Sequence, residues 1–365
     1  MRDGRQVNVN LGSRSYAINI GRRLEDTLTT APAYPSAGAF IVTDRHVAAH
    51  WLDACRGRLE RLGYRVGEAV IEPGEASKNW AQAGLLVEQA VEAGLDRSGV
   101  VVALGGGVAG DLGGFVAGTL LRGVGLIQVP TSLLAMVDSS VGGKTGVNLP
   151  QGKNLAGVFY QPREVAIALE VLGSLPDREY RSGLAEVVKY GLIWDAPFFK
   201  QLGAQADALL ARDPEALEAA IGRSCEIKAE VVGLDERESG VRAILNFGHT
   251  LGHAIETAAG YGTLLHGEAI AIGMVYAARL SEAHREADAG LSEQVCALLT
   301  RFGLPVSFAS ADLVPPPWSR IRELMAGDKK SRNRSPRFVL LERMGGAVFG
   351  CELPEAALES VYQSL

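Results

Sequence analysis

Val100-Val101-Val102-Ala103-Leu104-Gly105-Gly106-Gly107-Val108-Ala109-Gly110-Asp111 is the stretch on which the reading of this chain turns. An unbroken apolar run enters a turn with glycines at G-x-G-x-x-G spacing, and a helical pattern follows. Glycines there let the backbone approach a pyrophosphate, and the amides at a helix start offer donors and a positive dipole end. The usual fingerprint adds an acidic residue about 20 positions on. None occurs from Leu112 to Val137, so Asp44, which ends Ile41-Val42-Thr43-Asp44, is the substitute ribose acceptor if the two strands are parallel neighbours. The plain alternative is a tight strand-to-helix turn without a ligand, and other motifs must decide.

Working outward, Ala39–Thr43, Arg65–Ile71, Gly99–Leu104 and Gly125–Pro130 read as strands, with helical spacing over Val47–Leu62 and Trp80–Ala93. Strands alternating with helices predict a Rossmann-like α/β domain with a mainly parallel sheet. Gln6–Leu11 and Arg14–Ile20, separated by Gly12-Ser13, predict a hairpin at its edge. After Leu175-Pro176-Asp177 helical patterns dominate: Arg178–Lys189, Pro214–Gly233, Phe247–Ala259 and His266–Glu286. Past Pro315-Pro316-Pro317, Arg337–Leu341 and Ala347–Cys351 predict a small hairpin. The predicted domains are 1–176, α/β, and 177–365, mostly α-helical, with a site in the cleft between them.

Composition bounds the function. The 365 residues are 47% hydrophobic and 21% charged, an ordinary globular balance that excludes disorder. Lys+Arg 36 against Asp+Glu 42 gives a net charge of -6, which argues against a nucleic-acid or anionic-membrane partner. Cys55, Cys225, Cys296 and Cys351 are far apart and lack CxxC spacing, which suits a reducing cytoplasm. Neither a signal peptide's apolar core nor a membrane-length apolar run is visible, so a soluble, cytoplasmic protein is expected.

Gly142-Gly143-Lys144-Thr145 resembles the end of a phosphate loop, but Asp138 occupies the position where that motif needs its first glycine. The segment from Pro130 to Gly157, with Asp138, Lys144, Lys153 and Asn154 among glycines, reads instead as a site-lining loop. In the helical half, His249 and His253 stand at i and i+4 in Asn246-Phe247-Gly248-His249-Thr250-Leu251-Gly252-His253, and His266 opens the next helix. Thr250 replaces the Glu that zinc proteases place after the first His, which disfavours hydrolysis of that type. Glu186 lies in the small, apolar Gly183-Leu184-Ala185-Glu186-Val187-Val188-Lys189, where a bare carboxylate is costly to bury and a metal would neutralise it. A catalytic zinc site needs three such ligands and an open position. Spacing leaves open which three bind.

Lys189, Lys228 and Arg242 sit in apolar or small-residue settings, Arg242 one turn before the histidine cluster, and Gly327–Arg334 adds Lys329 and Lys330. A nicotinamide, a metal and several bases together suit a small sugar-like anion, the metal lowering an alcohol's pKa so that hydride can leave its carbon.

At this point the chain resembles the 3-dehydroquinate synthases of the sugar-phosphate cyclase superfamily, over nearly its whole length. The carriers are Pro73-Gly74-Glu75-Ala76-Ser77-Lys78, Gly105–Asp111, Asp138–Asn148, Gly152-Lys153-Asn154, Ala185–Gly191, Leu245–Glu256 and Leu265-His266-Gly267-Glu268. The resemblance implies NAD and Zn2+ or Co2+ as cofactors and a homodimer. It implies metal ligation by Glu186, His249 and His266, with His253 as a relay. Asp44, Glu75, Lys78, Gly107, Val108, Ala109, Gly110, Asp111, Thr131 and Ser132 would face NAD, with Asp138 and Asn154 nearby. Lys144 and Lys153 would serve nucleotide and substrate alike, and Lys189, Lys228, Arg242, Asn246 and Lys329 would surround substrate. Arg122 would reach its phosphate across the dimer interface.

The implied activity is that of a carbon-oxygen lyase of the shikimate pathway, in aromatic amino acid biosynthesis. It converts 3-deoxy-D-arabino-heptulosonate 7-phosphate to 3-dehydroquinate and phosphate by transient oxidation, phosphate elimination, re-reduction, ring opening and aldol closure. Pro73 and Ser77 depart from the family's Asp and aromatic residue. They leave room for an amino-dehydroquinate synthase or another sugar-phosphate cyclase. From another reaction class, the competing reading is a zinc-dependent NAD alcohol dehydrogenase of the glycerol dehydrogenase type.

Overall fold

The structure, a computed structural model, describes residues 4–260, 262–285, 287–326 and 336–365. In chain order its first part runs β1 (Gly4–Val9), β2 (Tyr16–Gly21), α1 (Leu24–Thr27), β3 (Gly38–Asp44), α2 (Arg45–Val47), α3 (Asp53–Arg61), β4 (Arg65–Ile71), α4 (Trp80–Glu92), β5 (Val100–Gly105), α5 (Gly107–Thr119), β6 (Gly125–Pro130), β7 (Lys144–Leu149), β8 (Gly152–Phe159) and β9 (Glu164–Ala168). The second part runs α6 (Asp177–Ile193), α7 (Ala196–Ala204), α8 (Ala206–Leu210), α9 (Pro214–Leu234), α10 (His249–Ala259), α11 (His266–His284), α12 (Leu291–Arg301), α13 (Trp318–Ala326), β10 (Phe338–Arg343), β11 (Gly346–Cys351) and α14 (Glu355–Gln363).

Seven strands form one sheet in the order β1-β2-β9-β6-β5-β3-β4, with β1 antiparallel to β2 and every other pairing parallel. Burial explains how the sequence specifies this. β5 and β6 are buried at every position, because a central parallel strand is covered on both faces and reads as a continuous apolar run. β1 and β4, at the edges, alternate buried and exposed residues. From β3 the chain adds β4 on one side and β5 on the other, so the strand order reverses between β3 and β5. Register pairs Thr43 with Leu104, which sets Asp44 and Gly105 side by side at the carboxyl edge.

The chain divides into two compact units: Met1–Pro176 with Leu217–Arg237, and Asp177–Ala216 with Glu238–Leu365. This corrects the assignment of residues 217–237 to the helical half. That segment is tied to the rest of the sheet unit by Arg5 on Glu226, by the Cys225 thiol on the Met136 carbonyl and by Lys228 on Asp138, all from α9, and by Arg14 on Glu236 just beyond it. A second correction concerns Pro130–Gly157, expected as loop. It holds a π-helical turn at Ala135–Ser139 and the antiparallel hairpin β7–β8.

In the helical unit α6, α10 and α11 meet at bare backbone. A Cβ added at Gly273 would lie 2.0 Å from the Gly248 carbonyl oxygen, and one at Gly267 would lie 1.9 Å from that of Ser182. Gly248 itself is left-handed, with φ 79°, and caps α10. No helix among the described residues is long and apolar enough to cross a membrane.

The glycine seam predicts that Gly273→Ala destabilises the protein by about 1–3 kcal/mol or more, since the clash is with backbone. Gly84→Ala, whose Cβ would meet nothing within 4 Å in α4, should leave stability unchanged or slightly raised. Thermal melts of the metal-free protein check this, and equal midpoints for the two variants would contradict it.

Candidate active site

In the sheet unit the glycine turn lies at the switch point between β3 and β5, the place where open parallel sheets bind nucleotides. Gly106 caps α5, whose first turn carries no acidic residue. The turn is made of glycine because side chains would crowd it: a Cβ at Gly105 would lie 2.6 Å from the Ala109 Cβ. Thr131 N–H donates to the Gly105 carbonyl at 3.0 Å, and the Ser132 hydroxyl lies beside Gly106. Asp44 Oδ1 accepts from the amides of His46 and Val47 at 2.9 and 3.1 Å. Its Oδ2 is 3.7 Å from the position of a Cβ on Gly105. The carboxylate thus stands over the turn with one oxygen committed to a helix cap.

A polar chain runs along the start of α5. Lys78, 4% exposed, is paired with Asp111 and lies 3.8 Å from Glu75. Burial pushes the Asp111 carboxyl above its usual range, against the pull of Lys78. Asn148 joins the chain by donating its side-chain amide to Glu75 at 2.7 Å and its N–H to the Lys78 carbonyl at 2.8 Å. Its own side-chain oxygen accepts from the Asn154 amide at 2.9 Å. Nothing in the spacing announces Asn148, an Asn inside a hairpin.

Lys228 Nζ donates at 2.5 Å to both the carbonyl and the carboxylate of Asp138, which places this base in the sheet unit. Lys144 is exposed at the start of β7 and Lys153 half-buried in β8. Arg122 is exposed beyond the far end of α5, a helix about 20 Å long, and is not brought to the glycine turn.

The helical unit builds the second cluster. Glu186, on α6, is fully buried, and one of its oxygens is held by Lys189, one turn along and 1% exposed. The other, Oε1, lies 3.6 Å from His249 Nε2 and 3.7 Å from His266 Nε2. These separations exceed a hydrogen bond. They suit donors sharing one cation, since ligands about 2.0–2.2 Å from a tetrahedral ion stand roughly 3.3–3.6 Å apart. A carboxylate and two imidazoles are a donor set that zinc and cobalt accept, so the residues present fit such an ion.

His253 is near enough that a nitrogen from each of the three imidazoles lies within 4.8 Å of the others. Its ring packs edge-on to His249, centroids 5.2 Å apart. Burial, then the charge of Lys189, holds the His249 imidazole well below its ordinary pKa, in the neutral form that a metal ligand needs. Burial also presses on His266, but Glu186 and Glu256 outweigh it and lift this imidazole to about 9.

Arg242 is 2% exposed in the turn Val241–Asn246, which leads to α10. Asn246 donates to Glu238 at 2.8 Å. Glu238 and Glu256 escaped the sequence reading. The first is a surface-like acid in a Gly-flanked loop, but the second carried a signal, since it follows His249 by seven residues on the same face of α10. Lys329 and Lys330 lie outside the described residues.

A glycine-turn nucleotide fold and a buried carboxylate–imidazole cluster define a nucleotide- and metal-dependent enzyme class. Comparison with known proteins narrows it. Residues 68–182 match the model of the 3-dehydroquinate synthase N-terminal region, and residues 183–331 that of the C-terminal region. The chain is 49% identical to the 3-dehydroquinate synthase of Halorhodospira halophila, covering 98% of this chain and 99% of that protein. It is 47% identical to that of Pelobacter propionicus, covering 91% and 94%. Among solved structures, a 2-deoxy-scyllo-inosose synthase complexed with carbaglucose-6-phosphate, NAD+ and Co2+ superimposes with a TM-score of 0.87 at 27% identity, covering 99% of this chain and 100% of that one. The 2-epi-5-epi-valiolone synthase of Streptomyces hygroscopicus, with NAD+ and Zn2+ bound, gives 0.86 at 27%, covering 97% and 98%. The chain belongs to the 3-dehydroquinate synthase family.

The cluster geometry predicts which imidazoles hold a cation. His249→Ala and His266→Ala should each lose bound zinc by more than 100-fold in affinity, whereas His253→Ala keeps it within about tenfold. Metal content after dialysis against a chelator reads this out, and a His253→Ala protein stripped as readily as the other two would show that the three imidazoles are the ligand set.

Proposed function

We infer that the protein is an NAD- and metal-dependent lyase that converts 3-deoxy-D-arabino-heptulosonate 7-phosphate to 3-dehydroquinate and phosphate, in aromatic amino acid biosynthesis. The observation that carries this reading is the Glu186 oxygen facing two imidazole nitrogens at 3.6 and 3.7 Å, in a chain whose two halves match both parts of the family. The solved cyclases bound to NAD+ with Co2+ or Zn2+ support the same cofactors here. When bound, NAD takes up and returns a hydride, and the metal acidifies the alcohol that gives it, so that net redox is zero.

In this reading the sheet unit holds the nucleotide. Gly107 to Asp111 offer amides to the pyrophosphate, Asp44 Oδ2 accepts from a ribose hydroxyl, and Glu75, Lys78, Thr131, Ser132, Lys144 and Lys153 line the remainder. Asp138 positions Lys228 for substrate, and Asn154 is placed by Asn148. In the helical unit Glu186, His249 and His266 hold the metal, and Lys189 both fixes Glu186 and presents a cation. His253, at the exposed edge of the cluster, passes protons. Arg242 and Asn246, with Lys329, bind the substrate's carboxylate and hydroxyls. A fixed cationic pocket favours this acidic substrate over carboxylate-free sugar phosphates.

The same reading makes the protein a cytoplasmic homodimer. The four cysteines are unbridged, and Arg122, exposed beyond the far end of α5, would serve the phosphate of a second copy. The sheet unit of this reading includes residues 217–237, so that Lys228 comes from its side.

With NAD, metal and the heptulosonate phosphate, the protein should release one phosphate per substrate while NADH absorbance stays flat. Steady NADH growth without phosphate would establish the dehydrogenase reading instead. Asp44→Ala should weaken NAD binding roughly ten- to hundredfold, the worth of a hydrogen bond to a charged group, as read by titration calorimetry, and unchanged affinity would remove Asp44 from the nucleotide site.

A further inference from the structure

Two imidazoles present Nε2 to Glu186, and for both to share a cation with that carboxylate each must keep its proton on Nδ1, so that Nε2 carries a lone pair. For His249 the arrangement is built into the backbone: its Nδ1 is 3.0 Å from the carbonyl oxygen of Phe247, an acceptor that fixes the tautomer. His266 opens α11, and its Nδ1 faces the Glu256 carboxylate instead, at 3.4 Å. Glu256 reaches it from α10, on the face that also carries His249 and His253, at i, i+4 and i+7. Its side chain is 13% exposed, so the carboxylate is withdrawn from bulk water and meets the imidazole in a setting that strengthens the contact.

We propose that Glu256 is a positioning residue for the metal centre. By accepting from His266 Nδ1 it selects the tautomer and ring orientation that direct Nε2 toward Glu186 Oε1, and it raises the basicity of that nitrogen toward a divalent cation. The proposal rests on the metal reading given above. It also accounts for the difference between the two histidines. His249, second residue after its acceptor, needs no side-chain partner, whereas beside His266 the local carboxylate, Glu268, already accepts from the Leu265 amide and from Arg178. The carboxylate must then come from another helix. Glu256 itself stays outside the ligand set, on the nitrogen opposite the one that faces Glu186.

The test compares Glu256→Gln, Glu256→Ala and His266→Ala in the full chain, loaded with Co2+. Cobalt affinity is measured by chelator competition, and the visible absorption of the bound ion reports its coordination. Glu256→Ala should bind Co2+ 10–100-fold more weakly with an altered band shape. Glu256→Gln, whose amide oxygen can still accept from Nδ1, should recover most of the affinity and the wild-type band. A loss in Glu256→Ala as complete as in His266→Ala, with no rescue by Gln, would make Glu256 a ligand and overturn the proposal. Wild-type affinity and spectrum in Glu256→Ala would overturn it as well. If His266→Ala itself keeps Co2+, the metal reading fails first. Should Glu256→Ala not fold, Glu256→Leu, which fills the space without an acceptor, takes its place: 10–100-fold weaker binding with an altered band upholds the proposal, and wild-type binding with an unchanged band overturns it.

Discussion

The helical unit is organised around a carboxylate that has no business being dry. Glu186 is fully buried on α6, and a bare charge there would be several kcal/mol unfavourable or would take up a proton. Lys189 offsets part of this through one oxygen, and the other oxygen faces two imidazoles at distances too long for hydrogen bonds. The neighbouring structure follows from keeping those groups in place. Glycines at 248, 252, 267 and 273 let α6, α10 and α11 approach backbone to backbone, and Arg178 forks onto Glu268, which caps the helix that begins with His266. The stability of this packing and the placement of the donors are one problem, because the same three helices supply both.

The sheet unit solves a different problem, which is to leave room. At the carboxyl edge between β3 and β5 stand three glycines in succession and a helix start without an acid in its first turn, while Asp44 commits one oxygen to the cap of α2. The polar chain from Glu75 through Asn148 to Asn154 then ties the β7–β8 hairpin to the beginning of α5. A segment rich in small residues thereby acquires fixed geometry, with Val147, Ala156 and Val158 packing into the core beside α5.

The extent to which this was legible in sequence follows the physics of each element. β5 was visible because a doubly covered parallel strand is an unbroken apolar run, β6 because only Gln128, which donates to the Gly110 carbonyl, interrupts such a run, and α10 and α11 because their apolar spacing is regular. The β7–β8 hairpin was invisible: Gly146 and Gly157 occupy positions where a Cβ would meet the opposing backbone at 2.6 and 2.3 Å, and glycines erase the alternation that announces a strand. β9 begins with Glu164, a polar opening that hides a strand, because the chain folds Thr29, Thr30 and Asn19 onto that carboxylate. Spacing found the histidines but could not choose among them, since His249 and His253 share a helix face. The choice depends on Nε2 directions, which only the three-dimensional placement of Glu186 defines. The allegiance of residues 217–237 to the sheet unit was likewise hidden, because it rests on ion pairs whose partners lie some 90 to 220 residues away.

The most direct test of the account is a crystal structure of the cobalt-loaded protein with anomalous scattering measured at the metal edge. A single strong peak bonded at about 2.0–2.2 Å to Glu186 Oε1, His249 Nε2 and His266 Nε2 is the expected result. A peak held by His253 without Glu186, or one elsewhere in the chain, would contradict it.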